Sequence, residues 1–228
     1  MKLLSTMGVK GVLDTVMPAY AATAGLEVDA SFDPTVLMLK RVRGGERGDG
    51  IILTTHGIDA LISEGILDPG FRVVYARSQV GLAVQAGAAH PDISTTDAVK
   101  RTLLAAKSIV YSRQGQSGIF FAELIERLGI AEAVNAKALI ISSGITGHET
   151  AAGRAEIAVQ QVSELMLVPG IELLGALPAE IQDDVVFAGA TFVGATNAQA
   201  AKALLQHLAS SEHAGLYRSK GLEPVSAG

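Results

Sequence analysis

Short apolar runs alternate with stretches of helical periodicity along the whole chain. Leu3-Leu4, Ile51-Ile52-Leu53 and Ala138 to Ile141 are too short for helices and have the aliphatic content of buried strands. Between such runs, apolar residues recur at helical spacing. Val9, Val12, Leu13, Val16 and Met17 mark one such segment, and Ile119, Phe120, Leu124, Ile125 and Leu128 another. The pattern predicts strands over 2–4, 26–32, 51–53, 72–76, 80–84, 108–111, 138–141, 156–162 and 185–193. It predicts helices over 8–24, 36–43, 58–64, 97–106, 119–128, 149–152 and 198–209. Gly25 and Gly65 stand where two of these helices stop. Strands that alternate with helices imply the α/β class, with mostly parallel sheets covered on both faces. No repeat period, low-complexity segment or long linker interrupts the pattern.

In open α/β sheets, ligands gather beyond the carboxyl ends of the strands. The residues that follow the predicted strands are therefore the candidate site. They are Ser5-Thr6-Met7-Gly8, Asp33-Pro34-Thr35, Thr54-Thr55-His56, Ser112 to Gly118, Ser142-Ser143-Gly144 and Gln160-Gln161. Hydroxyls dominate, and most of these loops precede a helix. Hydroxyls and helix-start N–H groups together make a neutral donor cage suited to a small anion. Arg113 is the cation placed to reach such an anion. His56 follows a strand and has the chemistry of an acid, a base or an anion contact. His148 and Glu149 are neighbours in sequence, but adjacent helical residues do not face one another. Lys10 sits in the first helix and reads as a surface residue.

Composition narrows the class. Of the 228 residues, 49% are hydrophobic and 18% charged, which excludes a disordered chain. The net charge of -5 and the lack of a Lys/Arg run argue against nucleic acid as a partner. Cys is absent, so disulfides, thiolate catalysis and Cys-ligated metals are excluded. The five His are spread over positions 56, 90, 148, 207 and 213, and no metal or other cofactor is expected from that spacing. Neither Gly-x-Gly-x-x-Gly nor a phosphate-binding Gly-Lys-Ser/Thr loop occurs. Met1-Lys2 leads straight into a short strand, without the apolar stretch of about 7–15 residues that a secretory signal needs. No run of about 18 apolar residues is present either, so no membrane insertion is expected. The expectation is a cytoplasmic protein, or a periplasmic one if the native chain begins further upstream.

Read in order, several segments resemble the periplasmic molybdate-binding proteins of ABC transporters. They are Met17-Pro18-Ala19-Tyr20 with Gly25, Ser31 to Thr35, Gly48 to Leu53, Ile109 to Phe121, Ala152 to Ile157, Leu208 to Ser211 and Lys220 to Pro224. The resemblance spans nearly the whole chain and lies in order and spacing rather than in one diagnostic peptide. It implies a two-lobed type II periplasmic-binding-protein fold with the ligand in a cleft between lobes. One lobe would hold 1–78 plus 187–228 and the other 79–186. It also implies five oxyanion contacts. These fall near Gly8, on Thr35, near Ser117-Gly118, near Ser143-Gly144, and on Gln161, where the family has Tyr. At Gly8 no side chain is available, and Ser5, Thr6 or the Gly8 N–H would serve instead. Gln161 offers both a donor and an acceptor, which suits a carboxylate better than a tetrahedral dianion. The first functional reading is thus a receptor for a small oxyanion or carboxylate, with a transporter permease as partner only for an exported chain. The alternative follows from a resemblance to the aconitate-isomerase group. There, His56 or Glu149 would move a proton while Arg113 and the helix starts hold the carboxylates.

Overall fold

The structure is a computed structural model that describes residues 1–142 and 144–225. In chain order the first elements are β1 (Lys2–Thr6), α1 (Lys10–Ala24), β2 (Asp29–Asp33), α2 (Thr35–Arg43), β3 (Gly50–Thr54), α3 (Thr55–Ser63) and β4 (Leu67–Gln85). Then come α4 (Thr96–Ala105), β5 (Ile109–Ser112), α5 (Gln116–Arg127), α6 (Ala131–Asn135), β6 (Ala138–Ile141), α7 (Gly147–Ala151), β7 (Ile157–Gln161) and α8 (Val162–Leu165). The chain ends with β8 (Ile171–Ala176), β9 (Asp184–Phe192), α9 (Ala198–Leu208), α10 (Ala214–Ser219) and β10 (Leu222–Pro224). Single 3-10 turns occupy Met7–Val9, Ala179–Ile181 and Ser211–His213. Among the described residues no helix is long and apolar enough to cross a membrane.

Two compact units emerge. Unit 1 comprises Met1–Arg77 and Val185–Gly228, and unit 2 comprises Ser78–Asp184. The chain leaves unit 1 within β4 and returns to it within β9.

The sheet of unit 1 has a parallel centre, with β1 between β2 and β3. The antiparallel β9 lies on the other side of β3. Alternation along β1 and β3 sorts the core onto two faces. Leu3 and Ile52 pack with Val12, Leu13 and Val16 of α1 and with Leu204 and Leu205 of α9. Leu4, Ile51 and Leu53 pack on the opposite face with Met38, Val42, Ile58 and Leu61 of α2 and α3. Burial on both faces explains why these strands read as unbroken apolar runs.

Unit 2 repeats the plan. Its β5 lies between β6 and β7, all parallel, and β4 pairs antiparallel with both β7 and β8. Ile109, Tyr111, Ile157 and Val159 face a large cluster that includes Phe121, Leu124 and Ile125 of α5. Val110 and Ala158 face the other side, with Ala83 and Leu165. The small residues there let short helices approach the sheet.

Some elements differ from the sequence reading. The polar residues Arg77, Ser78 and Gln79 split the expected strand, yet β4 is continuous over 19 residues, because the ladder is made by backbone groups. The helix expected from Gly8 begins at Lys10, after the turn Met7–Val9. Gly25 ends it in the left-handed region at φ 62°, as expected of a helix-terminal glycine. The one- to two-turn helices α6, α8 and α10 are too short to leave a period in the sequence.

Candidate functional site

In unit 1, three parallel strands end along one sheet edge. Thr6 of β1 is in register with Asp33 of β2, and Ser5 with Ile52 of β3. The loops after them therefore collect Ser5, Thr6, Gly8, Thr35 and Thr54. Thr35 donates to the Thr6 hydroxyl at 3.2 Å, in a buried position. Ser5 donates to the Thr6 carbonyl at 3.1 Å. Pro34 caps α2 without a side-chain acceptor, and no side chain caps the turn that follows Thr6. The N–H groups at both starts are thus left for another acceptor. Thr54 is committed differently: its hydroxyl accepts from the Gly57 N–H at 3.3 Å and caps α3. His56 is exposed in the first turn of α3.

Charges near this edge are neutralised in pairs. Asp33 is ion-paired with Arg41, which also binds Ser31 and Glu46. Hydrogen bonds from Arg41 and Lys2 hold the Glu46 carboxyl down at about 2. Lys10 pairs with Asp14 on the surface of α1 and lies over the Phe32 ring.

In unit 2, β5 and β7 run parallel and end in polar loops. The Ser112 hydroxyl accepts from the Gly115 N–H at 2.8 Å. The turn is so tight that a Cβ on Gly118 would lie 1.7 Å from the Ser112 carbonyl oxygen, so only glycine fits there. Gly115 caps α5 with no side-chain acceptor. The first N–H groups of this 12-residue helix are thereby presented beside the buried Ser117, an arrangement that favours an anion. Arg113 is exposed, and its backbone N–H extends the sheet by donating to Ile141 at 2.8 Å. Ser143 lies outside the described residues.

The end of β7 is a buried polar ladder. The side-chain oxygen of Gln160 accepts from the Thr146 N–H at 2.6 Å and from its hydroxyl at 2.8 Å. Ser163 shares a hydrogen bond with Ser78 at 3.1 Å. The side-chain oxygen of Gln161 is fully buried and has no hydrogen-bond partner among the described residues. An unmet buried acceptor costs about 1–3 kcal/mol, so this position is primed for a donor. Glu164 of α8 is also buried. Burial pushes its carboxyl up to about 7, only partly offset by a hydrogen bond with Gln160. Glu149, by contrast, is held below the ordinary carboxylate range by its hydrogen bond with Arg154.

The structure thus joins Thr6 to Thr35 in unit 1 and Ser112 to the Ser117-Gly118 helix start in unit 2. It shows no contact of His56, Glu149 or Arg113 with these groups among the described residues. Glu164, Thr146 and Ser163 were not singled out by the sequence reading. The one local signal for Glu164 was a carboxylate set before the apolar run Leu165 to Val168. The histidines are less scattered than their spacing suggested, because His207 and His213 meet with ring nitrogens 3.2 Å apart.

Residues 1–223 match the family described as bacterial extracellular solute-binding protein. The chain is 33% identical over 231 residues to the aconitate isomerase of a Pseudomonas species, covering 99% of this chain and 88% of that protein. The periplasmic molybdate-binding protein of Azotobacter vinelandii superposes over 100% of both chains with a TM-score of 0.81 at 15% identity. The sulfate-binding protein of Mycobacterium tuberculosis superposes with a TM-score of 0.75 at 18% identity, over 99% of this chain and 87% of its own.

Proposed function

We propose, for a chain that belongs to the bacterial extracellular solute-binding protein family, a function in which ligand capture is joined to chemistry. The ligand is a small unsaturated tricarboxylate such as aconitate, and the reaction moves its double bond by proton transfer. The observation that carries this reading is the 33% identity to an aconitate isomerase across 99% of the chain.

The chemistry needs three things. Carboxylates must be held, an allylic proton must be removed, and charge on the resulting allyl carbanion must be stabilised until a proton returns at its far carbon. Hydroxyls and uncapped helix starts at Thr6, Thr35 and Ser117-Gly118 are suited to the carboxylates. Gln161 adds an amide with a free acceptor. Glu164 is the group we assign to proton transfer. Its ionised form takes the proton from the methylene carbon, and the electron pair shifts through the double bond. Its protonated form then returns the proton to the other end, so atoms and charge balance without a further reactant. A carboxyl titrating at about 7 is matched to that exchange near neutral pH.

A second reading keeps capture without chemistry. It is favoured by the exposure of His56 and by the engagement of Glu149 with Arg154, which leave both earlier candidates without a contact to the donor groups. An ultraviolet assay of cis/trans aconitate interconversion, paired with calorimetric titration of the same acids, separates the two. Interconversion supports the isomerase. Binding without interconversion leaves a receptor, and binding of neither isomer overturns both. Loss of activity in His56→Ala with retention in Glu164→Gln moves proton transfer to His56.

A further inference from the structure

We propose that His207, Glu212 and His213 form a binding site for one divalent transition-metal ion of the zinc class, independent of the anion-binding residues. His207 lies in the last turn of α9. The chain then turns back through Ser211–His213, where the Ser210 hydroxyl accepts from the Glu212 N–H at 3.4 Å. This reversal brings His213 Nε2 within 3.2 Å of His207 Nε2. Glu212 Oε1 lies 3.6 Å from His213 Nε2 and 3.4 Å from His207 Nδ1. One ligand atom from each residue fits within 4.8 Å of the other two.

The Nε2–Nε2 spacing is what a shared ion requires, and the exposed Glu212 carboxylate lies beside it, 3.6 Å from His213 Nε2. Nitrogens each about 2.0–2.1 Å from a tetrahedral ion stand roughly 3.3 Å from one another. Two imidazoles aimed nitrogen to nitrogen, with a carboxylate beside them, supply the mixed N/O donor set that zinc, cobalt and nickel accept. The ring of Tyr20 stacks on His207 at 4.8 Å and 30°, which fixes the plane of that imidazole. Three protein ligands leave a fourth position open. A surface groove of about 510 Å³, lined in part by Tyr20, Thr23, His207, His213 and Leu216, gives water or a small ligand access to it.

The test is calorimetric titration of the full chain, without an affinity tag, with Zn²⁺ and Co²⁺ at pH 7.5. The expected result is one ion per chain and a visible Co²⁺ spectrum of tetrahedral intensity. His207→Ala and His213→Ala should each weaken binding by more than about 100-fold, beyond the loss typical of an outer-shell partner. His148→Ala should leave it unchanged. His213→Cys, which restores a zinc ligand, should retain binding and shows that any loss in the alanine variant is not a failure to fold. Electron paramagnetic resonance of the Cu²⁺-loaded parent protein should show two coupled nitrogens. A dissociation constant weaker than about 100 µM, or binding that survives the double His207→Ala/His213→Ala change, overturns the proposal.

Discussion

Unit 1 and unit 2 each bury a carboxylic acid, and the two titrate in opposite directions. Asp49 accepts from the Lys2 N–H at 2.8 Å, from the Asn197 N–H at 2.8 Å and from the Asn197 side-chain amide at 3.2 Å. Burial alone raises its pKa, but these donors outweigh burial and hold the carboxyl below its ordinary value. Glu164 is enclosed far more deeply, meets a larger penalty with one amide partner, and its carboxyl rises to about 7. Depth and the number of donors together decide which acid is ionised. Asp49 is therefore a fixed anion that ties the start of β1 to the start of α9. Glu164 is able to gain and lose a proton near neutral pH.

The largest effect expected from this contrast is catalytic. Glu164→Gln preserves shape but removes the titrating oxygen, and should lower aconitate interconversion by about 10²–10⁴-fold. Binding of the same acid, followed by calorimetry, should change far less. Equal losses in both would assign Glu164 to ligand capture instead.

Next is the pH dependence of stability. The Glu164 carboxyl has a folded pKa of about 7 against an ordinary value of 4.5. The folded state therefore binds more protons than the unfolded state between those values, and stability falls as pH rises through that window. The difference amounts to about 3 kcal/mol, present in full above pH 7 and absent below pH 4.5. Denaturant unfolding of the parent and of Glu164→Gln should diverge across that range, with the variant the more stable at pH 8. Parallel curves would remove Glu164 from the buried titrating role. For Asp49 the sign reverses, because its folded pKa is depressed. Its contribution is present above the ordinary value of 3.8 and is lost as pH falls below it. Asp49→Ala should destabilise the protein by about 2 kcal/mol at pH 7, since three donors lose their acceptor. Unfolding midpoints compared at pH 7 and pH 3 check both the size and the sign.

What the sequence disclosed follows the same division. Ile51-Ile52-Leu53 and the helical spacing of Ile119 to Leu128 were legible because periodicity is a local property of the chain. The hydroxyls after the strands were legible because strand ends mark loops. Glu164 was hidden, since a four-residue helix carries no period and its burial is a property of the folded chain rather than of its neighbours in sequence. Asp49 carried no signal of its own, because its donors, Lys2 and Asn197, come from distant parts of the chain. His207 and His213 were read as scattered because only the turn at Ser211–His213 reverses the chain between them.

The smallest effects separate the hydroxyls of the two units. Thr35 donates to Thr6 at 3.2 Å, so part of its role is already spent within unit 1. Thr35→Val should cost about 1 kcal/mol of stability and weaken carboxylate binding by roughly five- to tenfold. Ser117 is buried at the start of α5, and no partner for its hydroxyl is found among the described residues. Ser117→Ala should therefore leave the ligand-free protein as stable as its parent while weakening binding to a similar degree. Thermal unfolding with and without aconitate measures both quantities in one experiment, because a ligand that binds only the folded state raises the midpoint by mass action. If Ser117→Ala lowers the ligand-free midpoint as much as Thr35→Val does, its hydroxyl supports the helix start and is not held in reserve for a ligand.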